Sequence, residues 1–301
     1  MTEASEQAPQ RDVVPAEGDK NLIYDTVTGP LWRKAVYEPV HGGWEFTNIG
    51  GARLLDAIAT TFRVGPLTHV LELCSGTGAV ARYLNQRTGC SVTGVELNSI
   101  QLATARRARA EAGPGLAGVS FMEGDVTRWQ PDRLYDVALV IDSLTLLSDP
   151  VAALRNARRA LRSGGWLIFS DTAAGPRMTT AIERQAWDLD GLRPLPRHPR
   201  SIDLFTLAGL TDVHMIDATD AAVDCFRVIE AALTDRADEL AVVATDEELA
   251  DWHESTHFYL DAYRTGRLTY WHGCARRPRR AGSSAQRPDP TTPRSDHGTQ
   301  A

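Results

Sequence analysis

The sequence predicts an α/β fold, a seven-stranded, mostly parallel sheet with helices on both faces and a helical lid. Three observations predict it. Short apolar runs alternate with helix-favouring stretches between residues 68 and 171. The connections between them are short, as in a parallel sheet covered by helices. The run 136–141 is apolar after its first residue, as a strand buried on both faces must be.

The elements follow in order. Residues 68–73 form an apolar run before a glycine loop and read as a strand. Residues 80–87 read as a helix and 91–96 as a second strand. The stretch 99–112 is rich in Ala and Arg, with Leu102 and Ala105 on one face, and predicts a helix. Strands are expected at 119–122 and 136–141, then a helix at 151–161. Gly164 and Gly165 stop that helix before a fifth strand at 166–170. Two late strands are expected at 213–216 and 268–274. The rhythm breaks twice. Residues 172–200 carry Pro176, Pro194, Pro196 and Pro199 and cannot form one long helix. Residues 222–264 are helical in pattern, and both segments are lid candidates.

This divides the chain into a disordered start (1–20), a helical substrate-side segment (21–66), a core (67–275) and a disordered tail (276–301). The 301 residues are 43% hydrophobic, enough for one large buried core. The net charge of −7 argues against nucleic acid as a partner. The Arg-rich tail reads as a solvated one. Cys74, Cys90, Cys225 and Cys274 show neither zinc-site nor disulfide spacing, so no metal is expected. No apolar run is long enough to span a membrane, and the start lacks a signal-peptide pattern. A reducing cytoplasm is the simplest compartment. Nothing here fixes the oligomeric state, and a homo-oligomer stays open.

In an open parallel sheet, ligands bind beyond the carboxyl ends of the strands. The first strand runs into Glu72-Leu73-Cys74-Ser75-Gly76-Thr77-Gly78, a loop whose glycines let backbone approach a ligand. Glu96 ends the second strand, 24 residues after Glu72, where a carboxylate accepts from two ribose hydroxyls. Gly124-Asp125-Val126 follows the third, where Asp125 can accept from an adenine amino group. Asp142-Ser143 ends the fourth.

At these positions the chain resembles the class I S-adenosylmethionine (SAM)-dependent methyltransferases, whose core is Rossmann-like. Residues 70–84 resemble their first motif. Residues 94–102, with Ala105-Arg106-Arg107-Ala108, are similar to the second. Gly124-Asp125 resembles the third, and Tyr135-Asp136-Val137 with 161–165 the fourth and fifth. The close of the chain, 259–278, resembles bacterial small-molecule enzymes, among them sarcosine/dimethylglycine N-methyltransferases and geranyl-diphosphate C-methyltransferases. The resemblance implies SAM as cofactor. It assigns Glu72, Cys74, Gly76 and Gly78 to its methionine side, and Glu96 to the ribose. Leu97, Asp125 and Val126 would lie around the adenine, Gln101 is a further cofactor-binding candidate, and Asp142 and Ser143 would border the sulfonium. Two departures stand out. Cys74 replaces the first glycine of the usual loop, and Leu144-Thr145-Leu146-Leu147 replaces the His often found after the fourth strand. A dehydrogenase reading of the loop would leave the other strand-end residues to coincidence.

His253-Glu254-Ser255-Thr256-His257 spells the H-E-x-x-H of zinc proteases. The plainer reading is a polar face of a lid helix, with His253 or His257 facing a substrate as a weaker alternative. Aromatic residues gather in two places: Tyr24, Trp32, Tyr37, Trp44 and Phe46, and Trp252, Phe258, Tyr259, Tyr263, Tyr270 and Trp271. They suit a substrate cage and a small core under the lid equally well. A cage accommodates an ammonium group or the carbocation left when methyl adds to an alkene. A small, largely apolar specialised metabolite methylated on carbon, prenyl or indole-terpenoid, is narrowly favoured. An amine comes next, then an oxygen acceptor. A non-catalytic SAM-binding protein is the alternative of another class. Tyr24, His41 and Asp142 are the candidate proton acceptors.

Overall fold

The structure is a computed structural model, and it describes residues 36–38, 41, 43–242 and 244–279. Tyr24, Trp32 and the two expected disordered ends (1–20 and, from residue 280, the tail) lie outside the described residues. Seven strands form one sheet in the order β3-β2-β1-β4-β5-β7-β6. They are β1 His69–Leu73, β2 Ser91–Glu96, β3 Val119–Glu123, β4 Tyr135–Ile141, β5 Leu161–Ala174, β6 Thr211–Asp217 and β7 Leu268–Arg276. The first five pair in parallel, and β7 runs antiparallel between β5 and β6. The strand order reverses between β1 and β4, which opens a crevice at their carboxyl ends.

The helices are α1 Gly51–Thr61, α2 Ala79–Thr88, α3 Ser99–Ala112, α4 Pro150–Ala160, α5 Thr180–Asp190, α6 Ser201–Leu207, α7 Thr219–Asp235, α8 Ala237–Leu240 and α9 Asp246–Arg264. The caps explain where several begin. Asn98 accepts from Ile100 and Gln101 N–H at the start of α3, and Asp149 accepts from Ala152 N–H before α4. Thr245 and Glu248 form a reciprocal capping box at α9.

Strand residues alternate between two cores. Val70, Val137, Leu139, Ile141 and Ile168 pack under α1, α2 and α3. Leu71, Leu73, Ala138, Val140, Leu167 and Phe169 pack under α4 and α6. This is why β4 reads as an unbroken apolar run. A third cluster joins α5, α7 and α9 to β7 through Ala186, Ala222, Phe258, Tyr259, Tyr263 and Tyr270. It sits above the carboxyl ends of the strands as a lid.

The predicted strands and the α2, α3 and α4 helices are present, with bounds shifted by a few residues. The largest difference is β5, expected at 166–170 and running from Leu161 to Ala174, so that the preceding helix ends at Ala160 and Gly164 and Gly165 lie within the strand. Residues 172–174 are therefore strand rather than lid, because β7 pairs with β5 from Trp166↔Arg276 to Ala174↔Leu268. That pairing joins segments about a hundred residues apart, and no local pattern announces it. The rest of 172–200 holds α5 and irregular chain, consistent with its prolines.

Gly78 caps α2 with φ 73°, a conformation that disfavours any side chain. A Cβ there would lie 2.2 Å from Phe121 Cζ and 3.2 Å from Ala105 Cβ. Its role is to let α2 start close against β3 and α3. Gly78→Ala is expected to destabilise the fold by about 2–4 kcal/mol, combining the left-handed cost with overpacking. Chemical denaturation of the purified variant measures this.

Candidate active site

A cavity of about 700 Å³ lies over the carboxyl ends of β1 to β5 and under the lid. That volume is within the range of small-molecule sites. Its floor is the loop after β1. Ser75 N–H donates to Val95 O at 3.1 Å and Gly78 N–H to Ser75 O at 2.8 Å, so the loop folds back against β2. Gly76 has φ 53°, and its N–H donates to Glu96 Oε2 at 2.7 Å. Glu96 Oε1 accepts from Asn98 N–H at 2.8 Å. One buried carboxylate thus ties the β1 loop to the start of α3.

Cys74 also has a left-handed backbone, φ 57°. That is the physical reason glycine suits this position and the sense in which Cys74 departs from the motif. Asp142 is a third such residue, φ 49°. Its carboxylate is fully engaged. Oδ1 accepts from Tyr270 OH at 2.5 Å and Ser170 OH at 2.8 Å, and Oδ2 accepts from Ile49 N–H at 2.9 Å. Asp142 thereby pins the strap before α1 to the end of β4, and these bonds hold a conformation that a non-glycine residue otherwise avoids.

The structure brings Glu72, Cys74, Gly76, Glu96, Leu97, Gln101, Asp125, Val126, Asp142 and Ser143 to the wall of this one cavity. Gly78 is not among them, for the packing reason given above. His41 is not either. It packs against Gly51 at the start of α1, stacks on Tyr37 at 6.1 Å, and burial holds its pKa down at about 4. It is neutral near pH 7 and away from the cavity, which corrects its place among the proton acceptors. Asp142 borders the cavity as expected, but its three donors make it an anchor. Tyr24 lies outside the described residues.

His253 and His257 are both exposed on α9 and do not border the cavity. His257 Nδ1 faces Glu230 at 3.7 Å, and the residues of α9 that do border it include Trp252, Ser255, Tyr259 and Tyr263. The aromatic residues divide between the two expected roles. Tyr37, Phe46, Trp252, Tyr259, Tyr263 and Tyr270 face the cavity. Phe258 packs in the lid core, Trp44 against Phe46 and Tyr83, and Trp271 on His198.

Asp171 is the residue that sequence reasoning missed. It borders the cavity on β5, one position past the expected strand end. Its carboxylate accepts from Thr145 OH at 2.8 Å, Thr172 N–H at 2.8 Å and Thr145 N–H at 3.2 Å. Burial and the nearby Asp142 charge raise its pKa to about 7 against those donors. Burial, with the Glu96 charge, also pushes Glu72 well up. The only signal in the sequence was an acidic residue in an otherwise apolar and small strand.

The model of a methyltransferase domain matches residues 70–165. Over those residues the chain is similar to methyltransferase domains. A sarcosine/dimethylglycine N-methyltransferase of Halorhodospira halochloris is 33% identical over 111 residues, which is 36% of this chain and 39% of that protein. The chain spans less than half the length of several curated relatives that it matches. Among solved structures, Haemonchus contortus phosphoethanolamine N-methyltransferase 2 shares the fold with a TM-score of 0.75. It is 16% identical, over 86% of this chain and 60% of that one. Geranyl diphosphate C-methyltransferase from Streptomyces coelicolor A3(2) shares it with a TM-score of 0.61. It is 15% identical, over 75% and 77%. The matched stretch ends before the lid, so the family model covers the strand-end carboxylates of β1 to β4 and none of α5, α7 or α9.

The Asp171 shift has a consequence for stability. Its folded pKa lies above the ordinary 3.8, so the folded chain holds a proton there that the unfolded chain releases. This makes the wild type lose stability as pH rises from about 4 to about 7. In Asp171→Asn that loss is absent. The stability of the variant relative to wild type is expected to rise across this interval and level off above it. Urea unfolding of both proteins at a series of pH values reads the difference.

Proposed function

We propose that the chain transfers a methyl group from SAM to a small-molecule acceptor. The observation that carries this reading is the convergence of Glu72, Glu96, Asp125 and Asp142 on one cavity. They come from the carboxyl ends of β1, β2 and β4 and from just past β3. The donor set suits a cationic cofactor. Glu72 Oε2 is buried at the cavity wall without a hydrogen-bond partner among the described residues, and an ammonium group would supply one.

Glu96 borders the cavity, and its carboxylate is an acceptor-only group held in place by Gly76 and Asn98 N–H. That carboxylate would accept from a pair of ribose hydroxyls. Asp125 uses Oδ1 to accept from Thr127, and its Oδ2, which faces the exposed Arg128 at 3.6 Å, would also accept from the adenine amino group. Leu97, Gln101 and Val126 would flank the adenine end. Cys74 and Gly76 would lie along the methionine chain, and Asp142 and Ser143 beside the sulfonium. SAM supplies an electrophilic methyl group when bound. The chain's own part is to position the acceptor and to keep water out, which the lid over the strand ends favours.

Both acceptor classes favoured by the sequence use the aromatic walls: an apolar carbon centre of a specialised metabolite, and an amine. One observation separates them. No Lys, Arg or His among the described residues borders the cavity, so a phosphate or diphosphate head has no cationic side chain there. A neutral or cationic acceptor is supported over an anionic one. Among the described residues no helix is long and apolar enough to cross a membrane, in keeping with an acceptor taken from water.

Glu96→Ala and Asp125→Ala are each expected to weaken S-adenosylhomocysteine binding by roughly tenfold to a hundredfold, the worth of a hydrogen bond to a charged group. Isothermal titration calorimetry on both variants is the measurement. Wild-type affinity in both would sink the cofactor assignment.

A further inference from the structure

The cavity has one sign of charge. Cys74, on its floor, has a thiol pushed well up by burial and by the carboxylates of Glu96, Glu72, Asp125 and Asp171. The strand-end acids face the proposed cofactor. Asp190 does not belong to that set. It is the last residue of α5, on the lid, and it borders the cavity from the opposite side.

Asp190 is a half-buried carboxylate without a compensating cation, and burial raises its pKa. Oδ2 accepts from Ser255 OH at 2.9 Å, and the Tyr259 hydroxyl lies near the same carboxyl group, where it favours the ionised form. Both partners are neutral. Among the described residues no Lys, Arg or His forms an ion pair with it. A buried charge in that state is costly unless a ligand pairs with it. The position strengthens the negative potential, since a helix carboxyl end favours cations. Aromatic residues line the same cavity. Tyr259 stacks on Phe226 at 5.4 Å, and Trp252 of α9 borders the same cavity.

We propose that Asp190, Ser255 and Tyr259, with the rings of Phe226 and Trp252, form a seat for an ammonium group, so that the acceptor is an amine bound in its ammonium form, which passes a proton to the Asp190 carboxylate or to water before its lone pair takes the methyl group. The proposal rests on the methyl-transfer reading for the word acceptor, though the seat itself does not. An ammonium there would give Asp190 its missing charge partner and would lie against aromatic faces, which attract cations most strongly when water is excluded. Asp188 and Asp251 are exposed at the mouth of the same cavity and would draw a cation toward it. A metal-bridged diphosphate is the competing occupant. Among the described residues no three His, Cys, Asp or Glu side chains are grouped to hold a metal ion.

The test uses the full chain saturated with S-adenosylhomocysteine and two probes of the same shape, choline and 3,3-dimethylbutan-1-ol, which replaces the charged nitrogen by carbon. Quenching of tryptophan fluorescence, with Trp252 in the wall, reports binding. Choline is expected to bind about tenfold more tightly or better, as a desolvated cation–aromatic contact with a carboxylate implies. Asp190→Asn is expected to abolish that preference while its melting temperature stays near wild type. Equal affinity of the wild type for the two probes overturns the proposal without recourse to any variant. So does a preference that survives in a folded Asp190→Asn, or displacement of neither probe but tight binding of geranyl diphosphate with magnesium. Titration of S-adenosylhomocysteine alone separates the two readings. Its failure overturns the methyl-transfer reading, and the choline preference of the same protein still judges the seat.

Discussion

The Glu96 carboxylate, accepting from Gly76 N–H on one oxygen and from Asn98 N–H on the other, is the interaction on which the site depends. It joins the loop after β1 to the turn into α3, and so fixes two strand ends at one level. The loop cannot drift from β2 while Ser75 N–H also reaches Val95 O. With that floor set, the residues after β3 and β4 close the remaining sides because the parallel register brings their carboxyl ends alongside. A ligand site here is a consequence of strand order and of where each strand stops.

The opposite side is built differently. The strap before α1 is held by Ile49 N–H donating to Asp142, by Arg82 paired with Glu45 and by Phe46 in the core, and the lid by apolar packing among α5, α7, α9 and β7. Asp142, Tyr270 and Ser170 form a buried knot that ties β4, β5 and β7 together just beneath the cavity. Asp171 lies beside it, and the two carboxylates raise the cost of each other's charge. β4 and β5 therefore bring to the cavity carboxylates whose burial opposes folding and whose donors offset it in part. Left-handed backbone at Cys74 and Asp142, at the ends of neighbouring strands, belongs to the same pattern of strain concentrated at the site.

The charge of the cavity links these features to chemistry. Strand-end acids on one wall and Asp190 on the other leave a volume that suits positive groups, with rings between them. The surface of the chain does not show this, because Arg residues are plentiful outside the cavity and pair with acids such as Asp56, Asp136 and Asp261.

Much of the fold and of the cofactor wall was legible in the sequence. Strands buried on both faces are short apolar runs, and loops that turn at their ends need Gly, Asp or Asn, so order and position follow from local chemistry. Glu72, Glu96, Asp125 and Asp142 were readable because each sits a fixed step from such a run. Tertiary structure decided the rest, since each remaining feature depends on a partner far along the chain. β5 reaches Ala174 only because β7 lies beside it. Gly78 is glycine because of Phe121, His41 is set aside because Gly51 lies against it, and Asp142 is an anchor because Tyr270 and Ile49 reach it. Asp171 and Asp190 matter because folding buries them among neutral donors. A residue's type fixes what it can donate or accept, and only the packed chain fixes what is left to receive it.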